Sequence, residues 1–256
     1  MPPVISINNL SVAFENGPVV SNVNMHIKQN ELTVLVGRSG SGKSTLLRAI
    51  NRLNESLVGH ATQGCTTEGD IHVQLSDTTL DVYSPKTDLE QLRSRVGMVF
   101  QTPNVLPVSI ARNLLLPQKL VKGTTGDDAQ RVMEQVLDDV GLLAEVKDRL
   151  DQPAATLSGG QQQRLCLART LALKPEILLL DEPTASVDYR SAELIEELLL
   201  KLAPTLPMLV VSHSLSQTQK LADRVILMRE GKIVGEWLDS KSNKEDNFAA
   251  LLATAF

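Results

Sequence analysis

Gly37-Arg-Ser-Gly-Ser-Gly-Lys-Ser-Thr45 matches the phosphate-loop pattern G-x-x-x-x-G-K-[ST] without a mismatch. The residue types follow from the task. Glycines let backbone N–H groups turn inward around phosphate oxygens. The helix that follows adds its dipole and its unpaired donors. Lys43 can reach the terminal phosphates, and the Ser44 hydroxyl can ligate Mg²⁺. Both flanks fit. Thr33–Val36 is a short apolar run suited to a buried strand, and Leu46, Leu47, Ile50 and Leu53 follow at helical spacing. The candidate nucleotide-binding residues here are Gly37, Arg38, Ser39, Gly40, Ser41, Gly42, Lys43, Ser44 and Thr45.

Working outward, Val4–Phe14 alternates apolar and polar residues and Val19–Lys28 continues the pattern, which predicts antiparallel strands. Glu55–Gly69 is polar with three glycines and reads as a loop; Ile71, Val73 and Leu75 predict a strand; Ser76–Asp88 reads as a second loop. Asp88–Arg95 predicts a short helix and Val96–Phe100 a buried strand. From Thr102 to about Ala172 the pattern is helical. Ala129, Val132, Met133, Val136, Leu137 and Val140 share one face, with Asp127 and Asp128 in the first turn and Gly141 at the end. Apolar strands resume at Ile177–Leu180 and Met208–Val211, around an amphipathic helix marked by Leu194, Ile195, Leu198, Leu199 and Leu202. Val225–Met228 and Ile233–Trp237 read as a hairpin, and Phe248–Phe256 as a short closing helix.

Four predicted strands end in polar residues: Val36 at the phosphate loop, Phe100 at Gln101, Leu180 at Asp181-Glu182, and Val211 at Ser212-His213. In an open parallel sheet, ligands bind beyond the carboxyl ends of the strands. All four therefore aim at one crevice that holds phosphates. Asp181 can hold Mg²⁺ with Ser44. Glu182 points a base at an attacking water. His213 can contact the γ-phosphate and steady the water or Glu182, and Gln101 can ligate Mg²⁺ or bind the water. A solvated acidic turn has the same letters as Asp181-Glu182, but the phosphate loop upstream favours the chemical reading. Leu157-Ser-Gly-Gly-Gln161 is a second motif. Ser158 and Gln161 form an S-x-x-Q capping box. Gly159 and Gly160 also expose N–H groups at a helix start, which suits a second anion site.

Composition excludes several classes. The chain has 256 residues with a net charge of −5, which gives no basic footprint for nucleic acid. Cys65 and Cys166 are far apart and form neither a disulfide framework nor a zinc pattern. No apolar run approaches bilayer-spanning length, and Met-Pro-Pro-Val lacks the charged and apolar regions of a signal peptide. The chain is expected in the cytosol, docking on a membrane partner.

Taken together, the motifs resemble the ATPase subunit of ABC transporters over nearly the whole chain. The resemblance implies an α/β phosphate-loop fold with a mostly parallel core sheet, an N-terminal antiparallel β-subdomain and an inserted α-helical subdomain. In domain terms, 1–100 and 173–240 form the core and β-subdomain, 101–172 the helical subdomain, and 241–256 a tail. It implies ATP and Mg²⁺, with Phe14 stacking on adenine and Gln101 and His213 at the family's Q-loop and switch-histidine positions. It also implies a head-to-tail homodimer in which Ser158, Gly159, Gly160 and Gln161 of one copy close on the ATP of the other. Two transmembrane permease subunits are implied, docking around Pro103–Asn113, with a periplasmic or extracellular solute-binding protein for an importer. The implied location is the cytoplasmic face of the inner membrane, as a peripheral subunit. Ala185-Ser-Val-Asp188 stands where a Ser-Ala-Leu-Asp type is usual. Ile50–Asn54, Leu89–Val108 with Arg95–Asn104 inside it, and Ser158–Cys166 are similar to the ATPase of bacterial phosphate importers (Pst type). Competing readings are an ABC ATPase with another cargo or direction, a soluble ABC ATPase without a transport role, and a small-molecule kinase. The last does not call for the motif at Leu157–Gln161.

Overall fold

Two sheets organise the chain in a computed structural model that describes residues 3–57 and 64–238. Ile5–Phe14 (β1) and Gly17–Ile27 (β2) pair antiparallel, as their alternation predicts. Leu32–Val36 (β3) is buried throughout and leads through the phosphate loop into Lys43–Ala49 (α1), followed by the short Asn54–Leu57 (α2). Thr66–Gln74 (β4) and Thr79–Asp81 (β5) complete the antiparallel sheet in the order β2-β1-β4-β5. Beyond Glu55–Leu57, which belong to α2 instead of the expected loop, two corrections to the loop expectations lie here. Thr66–Gly69 belongs to β4, because β1 offers backbone partners to polar residues that need no buried face. Gly69 sits at a register shift in β1, with φ +92° and a Cβ position only 2.5 Å from the Asn9 carbonyl oxygen. Only glycine fits that approach. The other correction is β5, a three-residue strand inside Ser76–Asp88.

Leu89–Arg95 (α3) starts where Asp88 accepts hydrogen bonds from the Glu90 and Gln91 N–H groups. Val96–Val99 (β6) then enters the second sheet. The next segment is helical: Ile110–Pro117 (α4), a π-helical turn Gln118–Lys122, Gly126–Asp139 (α5), Leu143–Val146 (α6) and Gly159–Leu171 (α7). Ile177–Asp181 (β7), Tyr189–Leu202 (α8), Met208–Val211 (β8), Leu215–Leu221 (α9), Arg224–Arg229 (β9) and Lys232–Leu238 (β10) complete the order. The second sheet has the order β10-β9-β3-β8-β7-β6. Every pair is parallel except the β9–β10 hairpin at its edge. The predicted closing helix at Phe248–Phe256 lies outside the described residues.

Alternation sorts the strands' side chains onto two faces. Val34, Leu178, Leu180 and Val210 share a core with Ile110, Leu114, Met133, Leu137 and Leu165 from the helical segment. Leu35, Leu179, Leu209 and Val211 face the other way, onto Leu46, Leu47 and Ile50 of α1 and the inner face of the antiparallel sheet. The sheet is a shared wall between two apolar cores, so its strands read as continuous apolar runs. No helix of the described residues is long and apolar enough to cross a membrane.

One buried cation ties the two sheets together. Arg224, at the start of β9, is fully buried. Its guanidinium donates to the His26 carbonyl of β2 and pairs with Glu31 at 3.4 Å and Glu236 of β10 at 2.6 Å. Glu31 also accepts from the Thr33 hydroxyl at 2.8 Å. Removing one partner of a buried pair strands the other, at a cost of about 3–5 kcal/mol. Arg224→Ala should therefore lower the melting temperature sharply. Arg224→Met combined with Glu31→Gln should recover most of the loss. Thermal unfolding of the three proteins checks this, and an unchanged melting temperature for Arg224→Ala would show the pair to be idle.

Candidate functional site

The phosphate loop is pressed from two sides. A Cβ at Gly37 would lie 2.1 Å from the Met228 carbonyl oxygen of β9, and one at Gly42 would lie 2.6 Å from the Val19 carbonyl oxygen of β2. Gly42 also holds φ +97° directly before α1. Lys43 is buried, and its ammonium donates back to the Gly37 and Arg38 carbonyls at 2.7 and 2.9 Å. Burial lowers its pKa below that of an ordinary lysine, and the nearby Glu182 and Asp181 carboxylates work against that shift.

The level ends of the parallel strands bring the other groups to the loop. Asp181, the last residue of β7, is buried and accepts from the Ser44 hydroxyl at 2.8 Å, while its second oxygen faces Arg48 at 3.3 Å. Glu182 comes next with φ +48°, left-handed backbone held by its N–H bond to the Val211 carbonyl at 3.1 Å. Its carboxylate is gripped on both sides. Gln101 donates from Nε2 at 2.9 Å, and His213 Nε2 lies 2.7 Å from the other oxygen. A cavity of about 310 Å³ is lined by Ser39, Gly40, Lys43, Gln101, Glu182 and His213, with Val19, Gly42, Ser44 and Thr45 at its sides. All four strand ends thus meet at one hollow.

The hollow fits a nucleotide phosphate chain and a divalent cation. Backbone and ammonium donors line one wall, and two hard oxygen ligands, the Ser44 hydroxyl and the Asp181 carboxylate, stand within hydrogen-bond distance. Mg²⁺ is held in this style, by few protein oxygens together with phosphate oxygens and water. Phe14 lies half-buried at the end of β1, opposite Gly17 in the hairpin with β2. The hairpin residue that reaches the hollow itself is Val19.

Leu157–Gln161 stands elsewhere. Ser158 caps α7 with the reciprocal capping box that the spacing predicts, and Ser158 and Gly159 are exposed. Neither they nor Gly160 and Gln161 line the hollow. Gly160 is packed so closely on Ser191 and Asp188 that a Cβ would meet their side-chain oxygens at 2.5 and 2.6 Å. Gln161 donates to Glu145 at 2.7 Å, and Arg164 pairs with the same carboxylate at 2.9 Å. Partial burial pushes the Glu145 pKa up, but the Arg164 and Gln161 hydrogen bonds outweigh it and hold the group below the usual carboxylate range.

Sequence reading missed Arg48 and Gln217. Arg48 lies one helical turn beyond Ser44, so i,i+4 spacing on α1 already carried the signal. Gln217 gives no such signal, since it is buried between Thr184 and Ser212, which are remote from each other in sequence. Asn113, placed in the predicted docking stretch, is itself fully buried and holds the Leu106 N–H at 2.8 Å and the Ser109 carbonyl at 3.0 Å.

A phosphate loop, an acidic strand end and a strand-end histidine over one parallel sheet define a phosphate-loop ATPase. The family model described as ABC transporter matches residues 20–185, and the chain belongs to that family. It is 42% identical over 232 residues to phosphate import ATP-binding protein PstB 2 of Streptococcus thermophilus, covering 91% of this chain and 88% of that one. The PstB protein of Thermotoga maritima is 39% identical, with 91% and 90% covered. PstB 1 of Lactococcus lactis is 41% identical, with 93% and 90% covered. Among solved structures, the dimeric post-hydrolysis state of the ATP-binding cassette MJ0796 bound to ADP and Pi superposes with a TM-score of 0.77 at 28% identity, over 91% of this chain and 98% of that one. CbiO1 of Clostridium perfringens, with a TM-score of 0.75 at 24% identity over 99% and 93%, shares the fold.

Gly42→Ala tests the cradle. The added methyl meets a backbone oxygen and the φ is unfavourable, so the loop must move. Equilibrium titration should show ATP binding weakened by about tenfold or more, equivalent to roughly 1.4 kcal/mol. Wild-type affinity would mean that the loop tolerates the shift.

Proposed function

We propose that this chain is the ATP-hydrolysing subunit of a phosphate importer. The observation that carries the catalytic reading is Glu182, held between Gln101 and His213 at the mouth of the phosphate hollow. The phosphate cargo is supported by the import proteins that share 39–42% of its sequence. On this reading Lys43 leaves the loop carbonyls for the terminal phosphates when ATP arrives. The backbone N–H groups from Gly37 to Thr45 surround the phosphate oxygens, and Phe14 covers the adenine. Ser44 and Asp181, with Gln101, would hold Mg²⁺, which when bound would neutralise phosphate charge. Glu182 takes the proton of a water whose oxygen attacks the γ-phosphorus. The bond to the β–γ bridging oxygen breaks, and ADP and phosphate leave. His213 keeps the carboxylate aimed.

The exposed Ser158–Gly159 turn supports the head-to-tail homodimer, since it takes no part in lining its own hollow. There Ser158, Gly159, Gly160 and Gln161 serve the ATP of the second copy. Segment 101–172 is the unit on which two transmembrane permease subunits dock, through 103–113, with a solute-binding protein on the far side of the membrane. The chain then works as a peripheral subunit on the cytoplasmic face of the inner membrane. Closing on ATP and reopening after hydrolysis drive the permease.

Glu182→Gln is isosteric and removes the base. Turnover should fall by about 10²–10⁴-fold, while ATP binding persists and gel filtration shows an ATP-dependent dimer. Tagged Glu182→Gln protein recovered from detergent-solubilised membranes should bring multi-spanning subunits with it. Cells carrying only this variant should lose uptake of labelled phosphate. Rapid turnover would remove Glu182 from its role, and solely soluble companions would overturn the transport reading.

A further inference from the structure

Behind the Glu182–His213 contact, Gln217 joins the two loops that carry those residues. It lies in the first turn of α9 and is only 3% exposed. Both ends of its amide are engaged. Oε1 accepts from the Ser212 hydroxyl at 2.7 Å, and Nε2 donates to the Thr184 hydroxyl at 2.7 Å and to Glu196 of α8 at 3.3 Å. Glu196 is also paired with Lys220 of α9 at 2.8 Å and can only accept, which fixes the orientation of the amide.

Two of these partners, Thr184 and Ser212, stand close in sequence to the reacting groups. Thr184 is two residues beyond Glu182, in the turn closed by the Ala185 N–H on the Glu182 carbonyl at 3.1 Å. Ser212 immediately precedes His213, and its oxygen also accepts from the Ser214 N–H at 3.0 Å, which sets the turn in which His213 stands. Glu182 sits in left-handed backbone and cannot rely on its own φ preference to stay in place. A buried amide spanning Thr184 and Ser212 supplies the missing constraint from behind.

We propose that Gln217 is a positioning residue that sets the separation of Glu182 and His213. The inference rests on the role given above to that pair. Gln217 does not line the phosphate hollow and acts through the two loops. Small displacements of a reacting group cost rate steeply, so its loss should appear in kcat and leave KM nearly unchanged.

The test compares Gln217→Leu, which fills the space without hydrogen bonds, with a Glu variant in which Gln217→Glu is paired with Glu196→Gln, so that donor and acceptor are exchanged across that contact and the carboxylate can accept from both hydroxyls. Steady-state ATP turnover and the folded fraction are measured for each, beside Glu182→Gln. The expected result is kcat about tenfold lower for the Leu variant, KM for ATP within about twofold, and the Glu variant within about threefold of wild type. Wild-type kcat per folded molecule in the Leu variant, with Glu182→Gln inactive, would overturn the positioning role alone. Equal losses in the Leu and Glu variants that track the folded fraction would reduce Gln217 to a structural residue and overturn it likewise. An active Glu182→Gln protein would instead remove the reading on which the inference rests. Should the Leu variant not fold, Thr184→Val cuts one arm only. A kcat loss at constant KM there supports the proposal, and an unchanged kcat overturns it.

Discussion

The register of the parallel ladder is the constraint on which the site depends. Leu35 and Asp181 both stand opposite Val211 of β8, and Val99 stands opposite Leu180. The ends of β3, β8, β7 and β6 are therefore level, and the residues just beyond them emerge side by side. A slip of one residue in any pair would turn each side chain of that strand to the other face. Such a slip would carry Asp181 away from Ser44. The two apolar cores prevent it, since Leu178 and Leu180 fit one side and Ile177 and Leu179 the other. The placement of Asp181 beside Ser44 is thus a by-product of where leucines and valines can be buried.

Much of this was legible because the relevant residues repeat a period. The buried strands appeared as short apolar runs, and each run gives way at its carboxyl end to the polar residues of the site. Thr66–Gly69 escaped because a strand that is largely exposed needs no apolar alternation, only a neighbouring backbone to bond to. The short helix α9 escaped because most of its buried residues are polar: Gln217 and Thr218 beside Leu221. Arg224 offered no signal at all. Its burial depends on Glu31 and Glu236, acidic residues whose proximity the linear chain does not reveal. Periodicity reports burial of apolar groups, and it is silent about polar groups buried in company.

The start of α7 shows two readings of one motif holding together. As an acceptor, the Ser158 hydroxyl closes the capping box on the Gln161 N–H. A hydroxyl that accepts keeps its own hydrogen to give. Gly160 meanwhile is required by packing, since Asp188 and Ser191 leave no room for a side chain. Asp188 itself caps α8 by accepting from the Ser191 N–H and hydroxyl. Two helix starts therefore brace each other, and the stretch Ala185–Asp188 is tied into that brace. Its departure from the usual letters leaves the capping aspartate intact.

The shared wall between the two cores has an evolutionary consequence. The helices between Ile110 and Leu171 bury their apolar faces against strands that also form the floor of the nucleotide hollow. A segment whose interior is completed by another part of the chain cannot be exchanged between proteins as a cassette of its own. Changes that adapt those helices to a new partner must be accommodated by Val34, Leu178, Leu180 and Val210. The same strands must still deliver Lys43, Asp181 and Glu182 to their places. Diversification of these helices is thereby confined to their outer surfaces, while their inner surfaces descend together with the parallel sheet.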